Sequence, residues 1–176
     1  MKLTVRELVI FAMLGAAMFV SKLIMEIFPN VHIIGVLIVA FTVFYRVKAL
    51  IPLYVFVAVS GIYYLFFYGN ILWWLPYLYI WAVLWAMAML IPKKMPKWLC
   101  PIVYSLVCAL HGFLYGTLYA PAQALLFGLD FDGMITWIIA GFPWDILHGV
   151  NNFFCGLLIC PIIKILTIAE GKKKKL

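Results

Sequence analysis

The strongest chemical signal in the sequence comes from three polar residues that share a helical spacing. At 100° per residue, Asp145, His148 and Asn152 fall within about 60° of one another, with Asn151 to one side. A carboxylate, an imidazole and an amide on one stripe can hold a ligand through charge and hydrogen bonds. They can equally lock one helix against another, and the spacing alone leaves both readings open. A second polar face follows from His111, Tyr115 and Tyr119 at i, i+4 and i+8, with Gln123 one turn further. Tyr77 and Trp81, also four apart, offer rings that can stack on a planar ligand or pack in a core. Pro76 stands next to them, where it can bend a helix around a cavity. Lys22 and Glu26 at i, i+4 read as an interfacial pair or as one edge of a ligand entrance.

The sequence holds no nucleophile elbow, HExxH, phosphate loop or CxxC. No catalytic residue, metal site or cofactor is therefore expected, and the chain is read as a non-enzyme. Cys100, Cys108, Cys155 and Cys160 lie in apolar stretches and read as small hydrophobes. Asp130 and Asp132 read as solvated loop residues, and Trp73 and Trp74 as members of an interfacial aromatic belt.

Such polar residues need elements to position them, and composition says what those are. Of 176 residues, 68% are hydrophobic and only 11% are charged, with a mean hydropathy of +1.16. That is too little polar surface to cover a soluble domain, and it excludes a soluble enzyme, a disordered tail and a disulfide-framed module. The reading is an all-α integral membrane protein: one membrane domain over residues 1–176, six transmembrane helices, both termini cytoplasmic, at the cell membrane. The spans are expected at 5–28, 31–45, 49–68, 71–91, 98–127 and 144–166. Pro143 is expected to divide the last apolar stretch. The second span is short, since fifteen residues cover about 22 Å of a core about 30 Å thick.

Charge placement supports six spans. Lys2, Arg6, Arg46, Lys48, Lys93, Lys94, Lys97 and the lysines at 172–175 fall on one side, while the opposite loops hold no Lys or Arg. Five spans would split the basic loops. The net charge of +7 is thereby a topology signal, and no nucleic-acid partner is expected; the bilayer is the partner. Lys2 and Arg6 before an apolar run also suit a signal peptide, with Gly15 and Ala17 as small cleavage residues. The run continues to Val20 without a polar cleavage region, which argues for retention.

Two local patterns give the chain a family likeness. Ala12-Met13-Leu14-Gly15-Ala16 holds a small-xxx-small pair, Ala12 and Ala16. The run from Asp145 through His148 and Gly149 to Asn152, with Pro161 beyond, is similar to the polar opening of the last helix in many S components. Over essentially its whole length the chain resembles the S component of an energy-coupling factor (ECF) vitamin transporter. It departs from that family in its short second helix and in lacking a motif for any one vitamin.

The resemblance implies a substrate-capture subunit that binds a micronutrient at its outer face and tilts to release it inside. It implies docking through Ala12 and Ala16 to a coupling transmembrane protein, itself driven by two ATPase subunits. The substrate-binding set is then Tyr77, Trp81, His111, Tyr115, Tyr119, Asp145, His148 and Asn152, with Tyr77 and Trp81 stacking and Asp145 pairing with a cationic or amino group. The rival readings are a small membrane enzyme on lipid or isoprenoid, with Asp145 and His148 as an acid/base pair, and a stand-alone transporter.

Overall fold

A computed structural model of the chain describes residues 3–28 and 31–171. Lys2, Pro29, Asn30 and the lysines at 172–175 lie outside the described residues. All regular structure among the described residues is helical. The helices are α1 (Val5–Met25), α2 (Ile34–Tyr45), α3 (Leu50–Tyr68), α4 (Tyr77–Met89), α5 (Leu99–Phe113), α6 (Tyr115–Phe127), α7 (Phe131–Gly156) and α8 (Ile159–Ala169). A short 3₁₀ turn, Arg46–Ala49, joins α2 to α3.

The helix ends follow local chemistry. Thr4 and Glu7 form a reciprocal capping box at the start of α1, satisfying two donors that the first turn leaves unpaired. The Asp130 carboxylate accepts from the Gly133 amide to open α7. Gly69 and Gly128 close α3 and α6 in the left-handed region, at φ of 62° and 67°.

Three stretches are long and apolar enough to cross a membrane: Val5–Met25, Ile34–Tyr68 and Leu99–Phe127. The bent pair α7–α8, with 48° between its helices, makes a fourth, and α4 is a shorter apolar helix. The stretch Ile34–Tyr68 is folded back on itself. As a straight rod it would be about 50 Å long. Yet Glu26 accepts a hydrogen bond from Tyr68 at its far end. The seven residues between Glu26 and Ile34 reach no more than about 30 Å, or about 40 Å with the two side chains added. The reversal lies at Arg46, the one non-glycine residue with positive φ among those described, at 56°. Arg46 is held from both sides: its guanidinium donates to the Met89 carbonyl at 2.8 Å, and its own carbonyl accepts from Trp85 Nε1 at 3.3 Å.

Side-chain pairs fix the directions of the remaining helices. Lys48 pairs with Glu7 at one end of α1, and Lys22 meets Tyr64 at the other, so α1 and α3 run parallel. Met89 meets Arg46, and Tyr77 stacks near Phe56, so α4 runs against α3. Glu170, just past α8, meets Arg6 and Tyr45 at the same end as Arg46 and Lys48. The chain thus passes up and down in alternation: α1, α2, α3, α4, α5–α6 and α7–α8.

The α5–α6 run and α7 are antiparallel and unusually close. A Cβ at Gly112 would stand 2.8 Å from Gly149 Cα, and one at Gly156 would stand 2.6 Å from Ser105 Cα. Further along, the Gly116 amide meets Asp145. Each step along one helix is matched by an equal step back along the other. Glycine is what allows this backbone approach.

The last apolar stretch differs from the sequence expectation. Pro143 does not divide the last stretch: α7 continues through it to Gly156, and the break falls at Leu157 and Leu158. A proline inside a helix is tolerable where neighbouring helices re-satisfy the freed backbone group. The expected fifth span, 98–127, is found as one long apolar stretch, Leu99–Phe127, with a one-residue turn at Leu114 between α5 and α6.

The short second helix also finds its reason. Eight of its twelve residues are buried, including Ile34, Val36, Val39 and Thr42. It is the central helix of the bundle, apolar on every side because every side meets another helix.

Candidate functional site

The lengths of the helices create the site. Both descending helices, α2 and α4, end at the Arg46–Met89 corner. With twelve and thirteen residues they are about 18–20 Å long, against about 28–32 Å for α3 and α1. Their N-terminal ends therefore stop short of the opposite end of the bundle. His32 lies just before α2, and Tyr77 begins α4, so both stand at the floor of the space left above.

Around that floor the chain gathers all three of its histidines. His148 of α7 lies edge-on to His32 and to Tyr115, with ring centroids 4.9 Å apart in each case. Trp81 of α4 is fully buried and contacts His32 at 5.8 Å, His111 at 5.7 Å and Tyr115 at 5.7 Å. Tyr77 adds a further edge contact to Trp81 at 5.5 Å.

These polar groups are incompletely paired. His111 Nε2 meets the Ile80 carbonyl at 3.1 Å, and Asn152 Nδ2 donates to the Cys108 carbonyl at 3.3 Å. Asn151 donates to the His32 carbonyl at 3.1 Å, which ties the start of α2 to α7. Yet His32 Nδ1, His111 Nδ1, both ring nitrogens of His148, Trp81 Nε1 and Asn152 Oδ1 are buried with no hydrogen-bond partner. Each such group costs about 1–3 kcal/mol when left unpaired. Several from four elements in one cluster form a set of donors and acceptors suited to a polar ligand.

Above the cluster the protein opens outward. A cavity of about 380 Å³ is walled by Tyr64, Tyr68, Asn70 and Trp73, with Tyr77, Tyr115 and Tyr119 beneath. A second, of about 230 Å³, shares Trp73, Tyr115 and Tyr119 and is completed by Gly116, Trp137, Gly141, Trp144 and Asp145. Tyr115 thus faces both the cavities and the histidine cluster. Tyr119 donates its hydroxyl to the Trp73 carbonyl and stacks on Trp137 at 5.8 Å. Lys22 and Glu26 bolt α1 to α3 behind this wall: Lys22 Nζ lies 3.3 Å from the Tyr64 hydroxyl and 3.9 Å from Glu26.

Seven of the eight expected ligand residues meet here: Tyr77, Trp81, His111, Tyr115, Tyr119, His148 and Asn152. Asp145 stands apart from the histidines. Its carboxylate accepts the Gly116 amide through both oxygens, at 2.9 and 3.1 Å. Gly116 is in the first turn of α6, just past the break at Leu114, where helix amides have no intrahelical acceptor. Asp145 therefore caps α6 from a neighbouring helix.

Spacing alone did not single out His32, because it precedes α2 and belongs to no helical stripe. Its chemical type and its rarity were the available signals. Ala12 and Ala16 lie on the exposed face of α1, beside Val9, Met13 and Val20. Among the described residues, no group of three or more His, Cys, Asp or Glu is arranged to hold a metal ion.

No family model matches the chain, and no curated protein and no solved structure matches it either.

Proposed function

We propose that the chain is the substrate-capture subunit, or S component, of an ECF-type importer, and that it binds a flat, hydrogen-bonding micronutrient at its outer face. The observation that carries this reading is the set of buried, unpartnered polar atoms on His32, Trp81, His111, His148 and Asn152 beneath an aromatic-walled cavity. Aromatic walls bury the faces of a planar ligand, and the histidine cluster supplies donors and acceptors at its edge.

The six alternating passes of the chain support a six-span bundle in the cell membrane. Arg6, Arg46 and Lys48 gather at one end of it. The positive-inside rule makes that end cytoplasmic, with both termini on that side and the aromatic cavities outside. A ligand captured from outside then meets the cavities first. Release inward is the task of the partners: a coupling transmembrane protein, docked on the exposed Ala12 and Ala16 face of α1, and two ATPase subunits.

The capture reading is favoured over the enzyme reading by Asp145, whose carboxylate accepts the Gly116 amide and so has a structural role that needs no acid/base pair. Co-expression tests the proposal. The chain is expected to co-purify with the coupling protein and ATPases of an ECF module. Turnover of a lipid substrate by the purified chain alone would contradict it.

A further inference from the structure

The cytoplasmic end carries a second feature that the capture of a ligand outside does not use. Four of the eight basic side chains among the described residues have a protein partner. Arg6 pairs with Glu170, Lys22 with Glu26, Lys48 with Glu7, and Arg46 donates to Met89. Lys93, Lys94, Lys97 and Lys164 are different: they are exposed, and among the described residues none of them has an ion pair or side-chain hydrogen bond.

These four line two adjoining clefts. One, of about 470 Å³, lies between α5 and α8, with Lys97 and Lys164 beside Tyr104, Cys160, Pro161 and Ile163. The other, of about 610 Å³, is formed by the segment 92–97, with Lys93, Lys94 and Lys97 against Cys100 and Tyr104. The clefts share Lys97, Cys100 and Tyr104, and no acidic residue lines either. Trp98, next to Lys97, is 70% exposed. A tryptophan so placed in a membrane protein belongs at the level of the lipid headgroups.

We infer that the two adjoining clefts together form a binding site for an anionic phospholipid: Lys93, Lys94, Lys97 and Lys164 hold the phosphate, and the apolar wall of Tyr104, Pro161 and Ile163 takes the start of an acyl chain. A basic pocket between membrane helices on the cytoplasmic side recognises this chemistry. The mixed lining selects a lipid over a soluble anion, because a free phosphate has no use for the apolar wall. The inference rests on the membrane-embedded reading of the chain but not on the identity of the captured micronutrient.

Native mass spectrometry of the full chain tests it, with phosphatidylglycerol and phosphatidylcholine of identical acyl chains added to the detergent-purified protein. The wild type is expected to retain at least fivefold more phosphatidylglycerol. Combined K93Q, K94Q, K97Q and K164Q should abolish that preference. Combined K172Q, K173Q, K174Q and K175Q, which removes the same charge from the terminus, should leave it intact. Equal retention of the two lipids by the wild type overturns the site, as does an equal loss in both variants. Displacement of phosphatidylglycerol by millimolar inorganic phosphate assigns the cleft to a soluble anion and also overturns it. A wild type that shows no lipid preference yet still binds its external ligand sinks the lipid site alone.

Discussion

His148 stands edge-on to Tyr115 with ring centroids 4.9 Å apart, and neither of its buried ring nitrogens has a hydrogen-bond partner. The pair joins the histidine cluster to the cavity above it. Replacing an unpaired buried polar group with an apolar ring of similar shape is neutral or stabilising, whereas a ligand that used the nitrogens would lose them. H148F is therefore expected to melt at or above the wild-type temperature without ligand, and to bind ligand at least tenfold more weakly. Thermal unfolding and equilibrium binding on the same preparations check both halves. A variant that is less stable but binds normally would make His148 a packing residue.

Asp145 gives the opposite signature. Its carboxylate holds the Gly116 amide where α6 restarts, and a hydrogen bond to a charged group contributes about 1.5–3 kcal/mol. D145A is expected to lower the melting temperature clearly, with D145N between it and the wild type because it keeps an acceptor oxygen. Ligand affinity should fall less than in H148F. Scanning calorimetry alongside binding separates the two residues.

The glycine-lined contact of the α5–α6 run with α7 sets the spacing of the site walls. A methyl at Gly112 would press on the backbone of Gly149, and overpacking of this kind costs about 1–3 kcal/mol. G112A should lower stability by that order and weaken ligand binding as well, because His111 and Asn152 flank the contact. An equally stable G112A that binds normally would show that the helices can part without disturbing the site.

The all-helical character of this fold is legible in the sequence, because long apolar runs such as 5–25 and 99–127 have the length and composition of helices that can cross a membrane. The polar stripe of His148 and Asn152 and the spacing of His111, Tyr115 and Tyr119 are legible for the same reason: a helix converts spacing into a face. His32 is not, because its place in the cluster depends on how α2 packs among α4, α5 and α7. The role of Asp145 depends on the break at Leu114, and no residue there marks an interruption. Pro143 misleads in the other direction, since the surrounding helices keep α7 continuous through it. The depth of the aromatic-walled cavity comes from two short helices that end at the same corner, a tertiary fact that no local pattern records.

Topology is open to labelling. In a cysteine-free background, single cysteines at Asn70 and Asp130 are expected to react with an impermeant reagent added outside intact cells. Cysteines at Lys48 and Lys94 should react only after the membrane is opened. Labelling of Lys48 from outside would refute the reversal at Arg46 as a cytoplasmic turn.

Docking is separable from capture. Tryptophan at Ala12 and Ala16 enlarges an exposed face of α1 without touching the buried stripe of Phe11, Gly15 and Met18. A12W combined with A16W should abolish co-purification with the coupling protein and ATPases while ligand affinity stays within about twofold, or about 0.4 kcal/mol. Intact co-purification would remove the docking assignment.

On the proposed function, the buried histidine cluster completes its hydrogen bonds with a captured small molecule. The most direct measurement is native mass spectrometry of the detergent-purified chain, with small-molecule identification of whatever is released. One adduct of a flat, hydrogen-bonding compound is expected on the wild type, lost in H148F and reduced in H111F. The same adduct at the same occupancy on all three proteins would contradict it.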